Sequence, residues 1–258
     1  KERNSGVDVS VATSGTGGGF KTFCAGETDI SNASRTIKPE EKAECEKNGV
    51  EFAEIQVAND ALTVVVDPEN TWATCLTVDQ LKKIWEPAAE GKITSWKQVD
   101  PTFPEEKLAL YGPGTDSGTF DYFTDEVNGE EGASRADYSA SEDDNVLVQG
   151  VAGTKGALGY FGLSYFEENS DKLKAVQIDG GNGCVAPSVE TAQAGKYTPL
   201  GRPLFIYVSK QAYAEPHVKA FVDFYVQSDE EITDLAKFVP LNDDQREKAQ
   251  DAVAGLAG

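Results

Sequence analysis

The chain has 258 residues, of which 44 are acidic and 23 basic, so its formal net charge at pH 7 is −21. A surface this acidic repels nucleic acid and anionic lipid headgroups, which excludes both as main partners. Hydrophobic residues make up 39% of the chain, but no run approaches the ~20 apolar residues that a membrane span needs. The length suits one large domain or two ordinary ones.

The cysteines and the absence of methionine indicate the compartment. Because the chain contains no Met, we interpret it as a processed product that has lost a signal peptide. Its four cysteines form no CxxC pair and it has a single histidine, which argues against a zinc site. An even cysteine count then favours two disulfides and an oxidising compartment, with four buried thiols as the alternative. Since Cys24 and Cys45 bracket one local segment, we predict the pairs Cys24–Cys45 and Cys75–Cys184.

The first predicted unit along the chain is a strand, a glycine-rich turn and a helix. Val7, Val9 and Val11 alternate with polar residues, as they would in a half-buried strand. The turn TSGTGGGF follows, and its glycines would let the backbone approach a ligand closely. Successive N–H groups at a helix N-terminus make an anion-binding nest, to which Ser14 and Thr16 add hydroxyl donors. A tight turn without a ligand is the alternative.

The segment NASR comes next and offers two further groups for an oxyanion. Ser34 is a hydroxyl donor, and Arg35 carries a planar cation that matches an oxyanion, although surface arginines are common. A helix is predicted over IKPEEKAECEKNG, with Pro39 near its start and Gly49 as its stop.

The stretch EFAEIQVANDALTVVV contains two β-rich runs. The apolar run 62–66 suits a strand that is buried on both faces of a parallel sheet. Asp60 precedes it, and a carboxylate there can accept a proton from a bound ligand. Phosphate still carries one proton at neutral pH and sulfate has none, so such an acceptor rejects sulfate. A loop cap or an ion pair with Arg35 are the alternatives for Asp60. Thr77 is then the predicted N-cap of a helix over TVDQLKKIW.

A second strand, glycine-rich turn and helix follow in KLALYGPGTDSGTFDYF. Ser117, Gly118 and Thr119 open the helix, so a second turn of the same design is available to close on the same anion. The turn is not a GxSxG nucleophile elbow. A catalytic triad would have to use His217, for which we expect ordinary packing at a helix end.

The remainder of the chain continues to alternate strands and helices. Residues 128–145 are acidic and polar, which predicts a surface excursion. Strands are predicted in KLKAVQI and PLFIYVSK, and helices near 215–227 and 229–237 precede a polar tail. The alternation indicates an α/β fold with mainly parallel sheets flanked by helices.

Five stretches together resemble the PstS-type phosphate-binding proteins of high-affinity phosphate ABC transporters. They are TSGTGGGFKTFCAGETDISNASR, GPGTDSGTFDYFT, SRADYSASEDDNVLVQGV, GALGYFGLSYF and PLGRPLFIYV, and they span most of the chain. The resemblance implies a two-lobed fold of the periplasmic-binding-protein type II, which closes on one phosphate. It implies that backbone N–H groups, hydroxyls, an arginine and an acidic acceptor hold the ligand. The implied ligand residues here are Ser14, Thr16, Ser34, Arg35, Ser117, Gly118 and Thr119.

The chain departs from the family pattern in two places. In some relatives an arginine precedes the serine-glycine-threonine turn and the position of Arg35 is acidic. The countercharge has therefore moved, and Arg135 in GASRADY becomes a further candidate ligand. We expect the acidic acceptor to be Asp60 rather than Asp116. The family also begins with a strand, a turn and a helix, and residues 1–4 resemble the end of that helix.

These patterns lead to one expected function. Lobe one is expected to comprise residues 1–62 and 202–258 and lobe two residues 63–201, with a hinge of two crossings. We expect an extracytoplasmic solute-binding protein, periplasmic or extracellular, with lipid anchoring before processing left open. It would capture inorganic phosphate without catalysis, metal or cofactor and deliver it as a monomer to a membrane ABC permease. The alternatives are a binder of sulfate, molybdate or phosphonate, and a phosphatase or other hydrolase on the same loops.

Overall fold

The computed structural model describes residues 7–12 and 14–256. The helices are α1 Gly15–Cys24, α2 Pro39–Lys47, α3 Val78–Trp85, α4 Trp96–Val99, α5 Gly118–Phe123, α6 Asp144–Ala152, α7 Leu163–Glu168, α8 Val189–Gln193, α9 Lys210–Tyr213, α10 Pro216–Gln227, α11 Asp229–Ala236 and α12 Asp243–Leu256. The strands are β1 Ile30–Ala33, β2 Phe52–Val66, β3 Cys75–Thr77, β4 Ala109–Gly112, β5 Ser139–Ala140, β6 Ala157–Gly162, β7 Lys174–Ala175, β8 Gln177–Asp179, β9 Cys184–Val185 and β10 Gly201–Ser209. None of the helices described is long and apolar enough to cross a membrane.

The chain divides into two compact units. The first holds the described residues up to Asn59, Pro203–Ala236 and the residues from Pro240 onward. The second holds Asp60–Arg202 and the short segment Lys237–Val239. Strands β2 and β10 therefore each contain residues of both units. In addition, the chain returns briefly to the second unit at residues 237–239, which the sequence did not predict.

In the first unit the strand order is β1-β10-β2, with β1 antiparallel to β10. Alternate side chains of β10 enter different cores because successive residues of a strand point to opposite faces. Phe205 and Tyr207 pack with Phe20 of α1, whereas Ile206 and Val208 pack with residues of α10 and α12. The disulfide Cys24–Cys45 ties α1 to α2 beside the first of these cores, as predicted.

In the second unit the order is β2-β6-β4-β5, and β3, β8 and β9 form a separate sheet. Val64 and Val66 enter the main core on one face and Val65 enters the α6 core on the other, which confirms that this run is buried on both faces. Trp85 and Trp96 are fully buried in the main core. The disulfide Cys75–Cys184 joins β3 to β9, so the second predicted pair is also confirmed.

The sheets are mixed rather than mainly parallel, which corrects one detail of the predicted fold class. The β4–β5 and β4–β6 pairs are parallel, whereas β2 runs antiparallel to β6. Parallel neighbours need a crossover connection, which α5 and α6 supply between β4 and β6. Strand β2 begins in the first unit and ends in the second, and it needs no such crossover because it pairs antiparallel with β6.

Two local predictions at the ends of the chain are wrong. Residues 7–12 lie outside every strand, with Val9 65% and Val11 79% exposed, so alternation there does not mark a buried face. The expected polar tail contains the helix α12, whose Ala249 and Leu256 pack in the second core of the first unit. The helix end predicted over residues 1–4 lies outside the described residues.

Asp144 in the first turn of α6 gives a prediction about stability. Burial, with the carboxylates of Asp143 and Glu142 nearby, raises the pKa of Asp144 to about 6. Between that value and an unfolded pKa of about 3.9, the folded chain binds more protons, so stability falls as pH rises through this window. Because the side chain is only half-buried, Asp144→Asn should raise the free energy of unfolding at pH 7.5 by about 1 kcal/mol. The gain should vanish at pH 3.5; equal gains in urea titrations at both pH values would contradict this.

Candidate anion-binding site

In the first unit, the predicted turn TSGTGGGF lies mostly inside a helix, because α1 already begins at Gly15. Gly15 has a φ of 64°, in the left-handed region that favours glycine. A Cβ on Gly18 would lie 2.7 Å from the Cβ of Ser14, so glycine lets the helix close against this serine. Ser14 occupies the N-cap, but its hydroxyl forms no capping hydrogen bond with the helix. That hydroxyl, together with the first N–H groups of α1, is therefore available to an anion.

The hydroxyls of Thr16 and Ser34 lie next to each other at the start of α1. Thr16 Oγ1 lies 3.1 Å from Ser34 Oγ and accepts a hydrogen bond of 3.2 Å from the backbone N–H of Ser34. Ser34 directly follows β1, so the end of that strand brings the second hydroxyl to the start of α1. Both residues are half-buried. Two of the predicted donors are thus adjacent despite their separation in sequence.

Arg35 is fixed by a carboxylate that the sequence analysis missed. Its Nη1 and Nη2 donate to Glu41 Oε2 and Oε1, both at 2.8 Å, and Nη1 also donates to the carbonyl oxygen of Thr36. The hydrogen bond with Arg35 lowers the pKa of Glu41. Glu41 also accepts from the backbone N–H of Lys38 at the start of α2, so the carboxylate is held by its own helix. Only the glutamate half of a capping box is present here, because the lysine at position 38 has no side-chain acceptor, so the sequence signal for this contact is weak.

One edge of the Arg35 guanidinium remains open. Among the described residues, Nε–H and the second N–H of Nη2 have no hydrogen-bond partner. A Cβ on Gly17 would lie 3.8 Å from Nη2, which places this cation beside the first turn of α1. The first unit therefore brings Ser14, Thr16, Ser34 and Arg35 together around one helix start.

In the second unit, the predicted turn opens α5. Ser117 is the N-cap, and its Oγ accepts a hydrogen bond of 3.2 Å from the backbone N–H of Thr119. Gly118 is exposed, and a Cβ there would meet open space. The turn thus has the predicted geometry, with the hydroxyl of Thr119 half-buried beside it.

Asp60 pairs with Arg202, which the sequence analysis did not single out, rather than with Arg35. Nε of Arg202 donates to Asp60 Oδ2 at 3.1 Å, and Nη2 lies at the same distance from the same oxygen. The guanidinium carbon of Arg202 lies 3.7 Å from the ring centroid of Tyr122 in α5. Asp60, Arg202 and Tyr122 therefore form one cluster within the second unit. Only the three-dimensional fold joins them, because 142 positions separate the two charged residues.

The predicted role of Arg135 as an anion ligand is wrong. Its side chain is 4% exposed, and Nη1 donates to the carbonyl oxygens of Ile84 and Ile93 at 3.0 Å each. Nε and Nη2 donate to the two carboxylate oxygens of Asp137, whose pKa Arg135 lowers to about 2. The guanidinium is thus committed to backbone and carboxylate oxygens inside its own unit.

Arg135→Met should destabilise the folded protein. Removing a buried cation leaves two carbonyl oxygens and one carboxylate without their donor, so we expect a loss of about 3 kcal/mol in the free energy of unfolding. Anion affinity of the folded variant should change less than about twofold. Urea titration and calorimetry on the same samples test this. A large change in affinity with unchanged stability would return Arg135 to the site.

A metal centre or a catalytic histidine finds no support in the described part of the chain. No group of three or more His, Cys, Asp and Glu side chains there is arranged to hold a metal ion. His217 is exposed in the first turn of α10.

Comparisons with known proteins agree with this anion-binding design. A PBP superfamily domain model matches residues 1–230. Protein SphX from Synechocystis sp. is 51% identical over 237 residues, 92% of this chain and 70% of that protein. The phosphate-binding protein PstS from Staphylococcus saprophyticus is 41% identical over 222 residues, 86% of this chain and 66% of that protein.

A solved structure also has a similar fold. The crystal structure of a possible phosphate binding protein from Planctomyces limnophilus has a TM-score of 0.90 and 45% sequence identity, covering 95% of this chain and 86% of that one. The two-lobed α/β fold expected from the sequence is therefore confirmed.

Proposed function

The chain belongs to the PBP superfamily, among the relatives of PstS and SphX, and from this membership we propose that it is a solute-binding protein for inorganic phosphate. The observation that carries the proposal is the grouping of Thr16, Ser34 and Arg35 at the start of α1. Hydroxyls, helix N–H groups and a guanidinium are the donors that a tetrahedral oxyanion needs.

We propose that the two compact units are the two lobes and that each carries its own group of anion-binding residues. The group of the first unit consists of Ser14, Thr16, Ser34 and Arg35. The group of the second unit consists of Ser117, Gly118, Thr119 and the acidic acceptor Asp60. An acidic protein that binds an anion must rely on such local donors rather than on its long-range field. Binding should then depend less on ionic strength than binding to a basic surface patch would.

Binding without catalysis fits this set of groups. A phosphatase needs a metal cluster or an activated nucleophile. Ser117 uses its Oγ to cap α5, and the one histidine lies exposed on α10. The family consists of substrate-binding proteins of transporters, so we propose that the captured phosphate is delivered to a membrane ABC permease. A monomer in the periplasm or outside the cell, carrying no cofactor and no nucleic acid, fits this role.

Parallel calorimetry with phosphate, arsenate, sulfate, molybdate and a phosphonate tests the function. We expect one site that binds phosphate and arsenate at least about a hundredfold more tightly than sulfate. Sulfate has no proton to donate to the acceptor carboxylate, so two negative groups would face each other without a hydrogen bond. Tightest binding of sulfate, molybdate or the phosphonate would replace phosphate as the ligand. Turnover of a generic phosphomonoester that Ser117→Ala abolishes would instead establish an enzyme.

A further inference from the structure

The pair between Arg202 and Asp60 differs in geometry from the other arginine pair near the proposed ligand residues. Arg35 grips Glu41 as a fork, with one nitrogen on each carboxylate oxygen. Arg202 places two nitrogens on the single oxygen Oδ2 of Asp60, each at 3.1 Å. Among the described residues, Oδ1 of Asp60 has no hydrogen-bond partner. The carboxylate is thus held at one oxygen while the other remains open.

The arginine itself is held on a fixed platform. Its guanidinium stacks on the ring of Tyr122 at 3.7 Å, a distance that suits a cation–π contact. The hydroxyl of Tyr122 donates to the carbonyl oxygen of Pro199, three residues before Arg202. Tyr122 also belongs to α5, which begins at the Ser117 turn. The same short helix therefore carries the proposed ligand turn and the platform for Arg202.

Both side chains of the Asp60–Arg202 pair are largely buried. The side chain of Asp60 is 12% exposed and that of Arg202 is 21% exposed. Removing one partner of a pair so shielded from water leaves the other charge buried and uncompensated. An ionised Asp60 with one open oxygen can accept a hydrogen bond and cannot donate one.

We propose that Arg202 is a positioning residue for ligand selectivity, which holds Asp60 so that its open oxygen Oδ1 accepts the proton of a hydrogen phosphate or arsenate. The inference rests on the proposed function and adds to it the residue that sets discrimination against fully ionised sulfate. Arg202 acts through Asp60 and contributes little directly to the ligand. Tyr122 supports this arrangement through its ring.

The test is the ratio of phosphate to sulfate affinity in a set of variants. Asp60→Asn keeps the size but adds a donor, so it should weaken phosphate modestly, strengthen sulfate and narrow the ratio about tenfold or more. Arg202→Met should narrow the ratio similarly, because Arg202 then no longer fixes the position of the Asp60 carboxylate. The double variant should be no less selective than either single variant, since both changes disable the same group.

Matched variants separate this role from ordinary stabilisation. Arg246→Met removes an arginine that pairs with Asp229 within the first unit, and it should leave the ratio of phosphate to sulfate affinity unchanged. If Arg202→Met does not fold, Tyr122→Leu is the alternative. It removes the ring under the Arg202 guanidinium but keeps the charges of Asp60 and Arg202, so it should narrow the ratio of phosphate to sulfate affinity by a smaller factor. Tyr122→Phe keeps the ring and should retain most of the selectivity.

Each outcome bears on one of the two ideas. Wild-type protein that does not bind phosphate would refute the proposed function. If wild type binds and discriminates but Arg202→Met weakens all anions in proportion, the positioning role is wrong. Sulfate affinity that falls more than phosphate affinity would make Arg202 a direct anion ligand, which also overturns it.

Discussion

Arg35→Met should weaken phosphate and arsenate alike, by about 2–5 kcal/mol if the ion pair is desolvated. This corresponds to about 30-fold to several-thousand-fold in Kd. The guanidinium of Arg35 is a full positive charge beside the start of α1, and within the described part of the chain its Nε–H and one N–H of Nη2 have no partner. A guanidinium pairs with any oxyanion and does not read protons, so selectivity between phosphate and arsenate should persist. Calorimetry with both ligands measures the effect.

Two companion variants separate direct loss from exposure of Glu41. Without Arg35, the carboxylate of Glu41 keeps only its hydrogen bond from the backbone N–H of Lys38, has no cation beside it, and would repel an anion. The double variant Arg35→Met/Glu41→Gln removes that repulsion, so it should recover part of the affinity. Arg35→Lys keeps the positive charge but lacks the two-nitrogen geometry of a guanidinium. The phosphate affinity of this variant should lie between those of wild type and Arg35→Met. Equal affinities of wild type and Arg35→Met would remove Arg35 from the ligand shell.

Replacing both Cys75 and Cys184 with serine should lower the free energy of unfolding of the second unit by about 4–5 kcal/mol. The disulfide closes a loop with a sequence separation of 109, and a cross-link removes more entropy from the unfolded chain as the loop grows. Urea titration of the oxidised proteins measures the loss.

The other disulfide supplies a matched comparison. Cys24–Cys45 closes a loop with a separation of only 21, for which the same relation gives about 3 kcal/mol. The double serine variant at Cys24 and Cys45 should therefore be the less destabilised of the two. A larger loss from the shorter loop would show that loop entropy does not govern these cross-links.

Local signals in the sequence predicted much of the fold. Thr77 caps α3 by accepting from the backbone N–H of Gln80, and Ser117 caps α5 in the same way. Both could be predicted because a capping oxygen and the backbone N–H that donates to it lie within three residues of each other. The valine run of β2 and the even cysteine count were informative for the same reason. Each pattern is satisfied by close neighbours or by a small number of possible partners.

The features that the sequence did not reveal depend on distant partners. Arg135 looks like any surface arginine until the carbonyl oxygens of Ile84 and Ile93 surround it. Arg202 meets Asp60 only because β10 returns beside β2. The helix α12 is an exception: it has few apolar residues, but the spacing of Asn242 and Gln245 at its start is a capping-box signal, and the two residues form the reciprocal hydrogen bonds of that motif.

The placement of the disulfides also determines what a single backbone cut would release. A protease that cleaves one bond between Cys75 and Cys184 leaves both fragments joined by that disulfide. A cut between Cys45 and Cys75, or one beyond Cys184, separates fragments that share no covalent link. Electrophoresis without reducing agent would therefore distinguish nicks in the loop of the second unit from nicks near residues 59–60 or 202–203, where β2 and β10 pass from one unit to the other.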